Sequence, residues 1–323
     1  MRAAVHHQYG PPEVVYIADV PEPSPRADEV LVRVRATTVN RTDCGFREGT
    51  PRFVRLFSGI GRPKLPTLGT EFAGDVVAVG SDVTRFAVGD RVMGCNANRF
   101  GAHAEFIRVK ETSPIATMQP EATYGDAASV IDGFILAASE LRAAKVGAAT
   151  NLLVYGATGS IGTAAVMYAK HLGAHVTAVG NTKNLELLKS LGADEVLDHT
   201  ATDFATLGRQ WDVVFDAVGK RSFRNSRRAL TPKGTYASTE LGYLYQNPLL
   251  GLATKVLPGR TAMMPIPHYT KADVELVRDL MAAGEYRPVI DRTYPLDDIV
   301  EAHRYVDTGE KTGNVVIAVA AAE

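Results

Sequence analysis

Cysteine is scarce in this chain: Cys44 and Cys95 are the only two in 323 residues. Two thiols cannot build a disulfide framework, so the fold must rest on its own core, and a reducing compartment, the cytoplasm, is the expected address. No run of about 18 apolar residues occurs, which argues against a membrane-spanning helix. The opening Met1-Arg2-Ala3-Ala4-Val5-His6-His7 lacks the long apolar stretch of a secretion signal. Neither sign of charge is in excess, with 35 Lys and Arg against 36 Asp and Glu and a formal net charge of −1. That balance recommends neither nucleic acid nor an anionic membrane as the main partner. Repeats and low-complexity tracts are also missing.

Apolar residues are plentiful enough for large cores, and the length exceeds one ordinary domain, so two are expected. The first third reads as strand-rich. Residues 30–36 alternate apolar and charged side chains, and 71–79, 88–92 and 102–109 follow as strand or turn-into-strand segments. Gly69, Gly74 and Gly80 mark turns or close backbone approach there. Residues 123–144 are alanine-rich with helical periodicity. Strands then alternate with helices: strand 151–155, helix 160–172, strand 175–179, helix 183–191, strands 195–197 and 211–215, helix 221–230 and strand 234–238. This alternation implies an α/β unit with a doubly wound parallel sheet and right-handed crossovers. Helices at 272–283 and 296–308 and a strand at 314–319 follow, and 320–323 should be a frayed end.

The strand at 151–155 runs into Gly156-Ala157-Thr158-Gly159-Ser160-Ile161-Gly162 and then a helix. Glycine lets backbone approach a pyrophosphate closely, and a helix N-terminus presents unpaired N–H groups and a positive dipole end. A glycine-rich turn is weak evidence alone; between a strand and a helix of a βαβ unit it signals a dinucleotide. An NAD site usually carries an acid at the end of the next strand to hold the ribose 2′-hydroxyl. Here that strand ends Gly180-Asn181-Thr182-Lys183. Two hydrogen-bonding side chains and a cation suit a 2′-phosphate better, so NADPH is expected. The plainer reading of Lys183 is a solvated lysine at a helix start.

With these residues in view, the chain resembles the medium-chain dehydrogenase/reductase superfamily over essentially its full length, on the quinone oxidoreductase and alkenal/enone reductase branch. The ordered marks are Asn40-Arg41-Thr42-Asp43, Gly69-Thr70-Glu71-Phe72-Ala73-Gly74, Val88-Gly89-Asp90-Arg91-Val92, the glycine turn, Lys189-Ser190-Leu191-Gly192-Ala193-Asp194 and Asp216-Ala217-Val218-Gly219. The resemblance implies a mostly β GroES-like substrate domain from 1–122 and 266–323, and a Rossmann domain from 123–265. It implies a homodimer, and substrate in the cleft between domains. Zinc members of the superfamily have a thiolate where Asn40 stands, an imidazole where Thr70 stands, and a four-cysteine lobe. Amide and hydroxyl are poor substitutes for such ligands, and two cysteines cannot fill the lobe. No metal is expected.

Without a Lewis acid, acceptors that stabilise their own charge remain: quinones and α,β-unsaturated carbonyls. The enolate or quinolate oxygen needs donors. Asn40 is the first candidate, with helix capping as its structural alternative. Asp43 should fix the local turn or a pocket side chain. Phe46 stands where relatives often place an aromatic against substrate. Tyr243 and Tyr245 could donate to the oxyanion or supply a proton, and otherwise pack in a loop. Glu71 should only support the cleft by hydrogen bonds. His6, His7, His171 and His303 suggest no catalytic pairing. His199 could touch adenine. Ala217, Val218, Gly219, Thr239 and Leu241 should line the nicotinamide side, because ligands sit at the carboxyl ends of parallel strands. Asn314 takes a position often held by lysine in relatives, which puts its cofactor contact in doubt. Two rival readings are a zinc alcohol dehydrogenase and a non-catalytic NADPH-binding structural protein.

Overall fold

The computed structural model describes residues 1–242, 245–256 and 258–319. The chain forms two compact units, Met1–Asp132 with Tyr269–Glu323, and Gly133–His268. The first is a GroES-like unit of mixed strands; the second is a Rossmann unit. The joins thus lie at 132/133 and 268/269 rather than at 122/123 and 265/266. One reason is visible locally. The segment read as one helix, 123–144, is two, Tyr124–Ala128 and Ile131–Ala143. The short one packs on strands Glu29–Val39 and Glu71–Val79 with Ala127 and Ala128 fully buried.

In the first unit the long strand Glu29–Val39 is the hub. It pairs antiparallel with Glu71–Val79 on one side, and with Phe106–Lys110 and Asn314–Ala318 along the other. Its valines 30, 32 and 34 are fully buried, as the alternation required. The sheet extends through Arg91–Cys95 to Ile115–Thr117 at one edge, and ends at Ile290–Pro295 at the other. That last strand falls between the helices expected at 272–283 and 296–308, where no strand is expected. As an edge strand it lacks the buried apolar alternation that marks a strand in sequence.

The second unit is a six-stranded sheet in the order Glu195–Asp198, His175–Gly180, Asn151–Tyr155, Trp211–Asp216, Leu230–Ser238, Thr261–Met263. Every neighbouring pair is parallel. The central strands bury Leu152, Leu153, Val154, Val213, Val214 and Phe215 almost completely, as a sheet covered on both faces must. Strand Leu230–Ser238 starts earlier than expected, because the register shift between Trp211 and Val213 absorbs a Pro-Lys-Gly stretch that reads as a turn. The helix expected at 221–230 is correspondingly short, Phe223–Ser226 followed by a 3-10 turn, Arg227–Ala229. The segment 242–264 holds a helix, Gln246–Val256, and the edge strand Thr261–Met263. The tail at 320–323 lies outside the described residues.

Candidate active site

In the Rossmann unit the glycines of the turn do different jobs. Gly156 has φ +76°, and a Cβ there would sit 2.5 Å from Val218 Cγ1. At Gly162 a Cβ would meet the Gly156 carbonyl at 2.2 Å, so glycine is demanded by packing of the helix against the backbone of the turn. Gly159 is different: its φ is −79°, and a Cβ would find only the Gly156 oxygen, 3.9 Å away. Nothing in the protein requires glycine there. It is the N-cap of helix Ser160–His171 and offers no side-chain cap. The first N–H groups of that helix thus receive no side-chain cap from Gly159, an arrangement suited to a pyrophosphate.

Two buried polar atoms without partners stand at the carboxyl ends of two strands of this sheet. Asn181 Oδ1 follows strand His175–Gly180, and Thr239 Oγ1 follows strand Leu230–Ser238. Buried unpaired oxygens are costly unless a ligand completes them. Both are residues expected at the dinucleotide. Thr158 packs its methyl where a Cβ on Gly180 would go. Lys183 is exposed just past the strand. Ala217, Val218 and Gly219 form a loop held by Asp216, whose Oδ1 accepts the N–H groups of Val218 at 3.2 Å and Gly219 at 2.9 Å. Its Oδ2 accepts from Arg221 N and the Tyr236 hydroxyl. This organising role of Asp216 went unread in sequence.

One carboxylate was missed. Asp198 ends the adjacent strand opposite Gly180 and accepts the Thr182 hydroxyl at 2.5 Å. Its other oxygen accepts the N–H and hydroxyl of Thr200 at 2.8 and 2.7 Å. These bonds hold its carboxyl below the usual range. Scanning only the second strand's end cannot find an acid that pairing brings in from the third. His199 is exposed beside it, its ring 6.3 Å from that of Tyr155. Leu241 accepts the Asn247 N–H through its carbonyl. Tyr245 is 51% exposed with φ +58°. Tyr243 lies outside the described residues.

In the GroES-like unit, Asn40 is the N-cap of helix Arg41–Glu48. Its Oδ1 accepts the Asp43 N–H at 3.0 Å, and the Asp43 carboxylate accepts the Asn40 N–H at 3.0 Å, a reciprocal capping box. The Asn40 amide donates to Thr70 Oγ1 at 2.8 Å and to Asp132 Oδ2 at 3.3 Å. Its donor capacity is thereby used, and the capping role fits this geometry better than oxyanion donation. The other oxygen of Asp43 ties the Gly69 N–H at 3.0 Å. Burial raises the Asp43 carboxyl to about 7. Phe46 packs tilted against Phe100, with ring centroids 4.7 Å apart. Asn314 spends its amide, like its backbone N–H, on the Val289 carbonyl, which marks it as a strand anchor.

Glu71 is fully buried and accepts the Thr38 hydroxyl and the Asp132 N–H. The Tyr269 hydroxyl donates to Asp132 at 2.8 Å. Burial first, and for Glu71 the nearby Asp132 carboxylate next, pushes both carboxyls up. Lys311, held against the Gly313 carbonyl, is lowered to about 8 by burial, with Glu71 pulling it back up. Sequence gave no sign of Asp132, Tyr269 or Lys311, which lie far apart in the chain. His303, for which no catalytic pairing is expected, accepts from Arg47 Nη1 at 3.2 Å and sits 3.6 Å from Cys44 Sγ.

A parallel sheet with a glycine turn, an uncapped helix start and unpaired acceptors at strand ends defines a dinucleotide-binding unit, here joined to a GroES-like unit. Residues 26–120 match the alcohol dehydrogenase GroES-like domain family, and 191–317 the zinc-binding dehydrogenase family. The chloroplast envelope quinone oxidoreductase homolog of Arabidopsis thaliana is 30% identical over 92% of each chain. The NADPH-dependent alkenal/one oxidoreductase of the same plant is 29% identical over 98% of this chain and 79% of its own. The solved quinone oxidoreductase of Coxiella burnetii superposes with a TM-score of 0.89 at 26% identity, covering 99% of both chains. The chain belongs to the medium-chain dehydrogenase/reductase superfamily and is an oxidoreductase using a nicotinamide dinucleotide.

Proposed function

We propose that the enzyme reduces quinones or α,β-unsaturated carbonyls with NADPH and without zinc. The observation that carries this reading is the bond between Asn40 and Thr70. Residues standing at two ligand positions of the zinc relatives hydrogen-bond each other as amide donor and hydroxyl acceptor. Neither offers the thiolate or imidazole that zinc prefers. Burial pushes the Cys44 and Cys95 thiols up from their ordinary range. Among the described residues no three of His, Cys, Asp and Glu converge as a ligand set.

For the cofactor, Gly159 and the helix start suit the pyrophosphate, Asn181 and Thr239 supply acceptors, and the exposed Lys183 suits a 2′-phosphate. Asp198 would favour a ribose hydroxyl, yet both its oxygens are engaged by Thr182 and Thr200. The bound nicotinamide supplies the hydride. The protein's own work is orientation. With the Asn40 amide committed and Asp43 and Glu71 tied into the framework, we assign the final proton to solvent. The edge position of strand Thr261–Met263, beside a helix exposing Leu249 and Leu252, supports pairing into a homodimer.

The test is NADPH oxidation with 9,10-phenanthrenequinone and a small enone, in parallel with NADH, with and without a chelator. Turnover that prefers NADPH and ignores the chelator is expected. Loss of turnover with chelator would point to a zinc enzyme. Tight NADPH binding without turnover would point to a structural protein. Lys183→Ala should weaken NADPH binding and spare NADH; unchanged NADPH affinity refutes the phosphate assignment.

A further inference from the structure

We propose that segment 52–64 is a docking surface for an anionic lipid membrane. The whole-chain charge balance conceals it. Residues 49–70 contain no aspartate or glutamate, while Arg52, Arg55, Arg62 and Lys64 fall within them. Residues Arg52–Val54 and Arg55–Ser58 form a short helical stretch. Phe53, Leu56 and Phe57 recur at i, i+3 and i+4, the spacing of one helix face, and Ile60 follows. In a buried helix that face would point inward. Here it points out: Phe53 is 42% exposed, Leu56 66%, Phe57 76% and Ile60 76%.

The inward side is polar and firmly tied. The Arg55 guanidinium lies over the Tyr9 ring at 4.6 Å and donates to the Gly49 and Glu48 carbonyls. The Tyr9 hydroxyl bonds Ser58 Oγ and the Gly59 carbonyl. Lys64 N bonds the Ser58 carbonyl at 2.7 Å, which folds the basic residues back beside the apolar ones. Arg52, Arg62 and Lys64 are exposed and take part in no ion pair among the described residues. A held platform with apolar side chains outward and uncompensated cations around them matches a bilayer interface of anionic headgroups over acyl chains. The same apolar face without cations would suit a second protein; the one-signed charge is what selects lipid. The inference is independent of the reaction proposed above.

Cosedimentation tests it, using the full protein with vesicles of equimolar phosphatidylglycerol and phosphatidylcholine against phosphatidylcholine alone. Binding to the anionic vesicles is expected, weakened by high salt. Arg62→Ala with Lys64→Ala should weaken it roughly fivefold per cation removed. Leu56→Ser with Phe57→Ser should abolish it. Phenanthrenequinone turnover and melting temperature should stay at wild-type values in both variants, which separates this surface from the reaction. Three results would overturn the proposal: wild-type protein left in the supernatant, equal binding to neutral vesicles, or variants that bind unchanged. A wild-type oligomer that the Leu56 and Phe57 changes dissociate would reassign the face to self-association.

Discussion

The two units bury polar groups in opposite ways. In the GroES-like unit, Asp43, Glu71, Asp132, His103 and Arg47 are buried and bonded to one another or to backbone. In the Rossmann unit the sheet core is almost wholly apolar, and most of the buried polar atoms without partners belong to it, Asn181 Oδ1 and Thr239 Oγ1 among them. A polar cluster that satisfies itself holds a fold together; a polar atom left open beside a strand end waits for a ligand. The rule has limits. Glu140 and Asn151 Oδ1 are also open, and neither stands at a carboxyl end of the sheet.

The comparison can be broken most sharply at Arg47, whose side chain is fully buried and bridges Asp307 at 2.7 Å, His303 and the Gly10 carbonyl. Arg47→Met should cost about 3 kcal/mol, because Asp307 loses its cation and His303 its donor. Urea unfolding would measure it, and a loss below about 0.5 kcal/mol would deny the cluster its structural role.

The second test contrasts pH dependence. Desolvation raises Glu140 in the Rossmann unit to about 9. Its folded value lies above its unfolded one, so its contribution is fully present below about pH 4.5 and is lost as pH rises through 9. Glu140→Gln should match the wild type near pH 4.5 and exceed it by a few kcal/mol near pH 9. In the GroES-like unit the slopes oppose. Buried imidazoles of His6, His103 and His303 are lowered, His103 to about 4, and lose stability as pH falls below 6.5. Asp43, Glu71 and Asp132 are raised and lose it as pH rises. Hydrogen exchange resolved by unit should show the first nearly level between pH 4.5 and 6.5 while the second declines. Parallel slopes would contradict the contrast.

A smaller effect separates framework from chemistry. Asn40→Ala removes a capping box and should cost about 1–2 kcal/mol of stability. With its donors committed to Thr70 and Asp132, kcat of the folded variant should stay within a few-fold of wild type. A hundredfold loss in kcat would restore Asn40 as an oxyanion donor. The smallest change in stability is expected at Gly159→Ala, where the new methyl meets no protein atom closer than 3.9 Å. Its melting temperature should not move, while NADPH affinity falls on the order of tenfold. Gly162→Ala, with a 2.2 Å clash, should lose both.

The central strands and the long helices were legible because burial on both faces, or on one helical stripe, writes its period into the residues. Edge strands Thr261–Met263 and Ile290–Pro295 were not, since they bury too little to leave a pattern. The glycine turn was legible as a motif, but which glycine serves packing and which serves a ligand was not. That distinction depends on Val218 and the Gly156 carbonyl standing opposite.

By itself the sequence determined the α/β class, the glycine turn between strand and helix, and the superfamily, because each rests on residues close together in the chain. Only the tertiary structure decided what Asn40 is bonded to and that Asp132 and Tyr269 join Glu71. It alone brought Asp198 beside Thr182, and turned the apolar face of 53–60 outward. These are contacts between residues distant in sequence, or orientations of a face. Hydrophobic periodicity specifies that a face exists but not which way it looks.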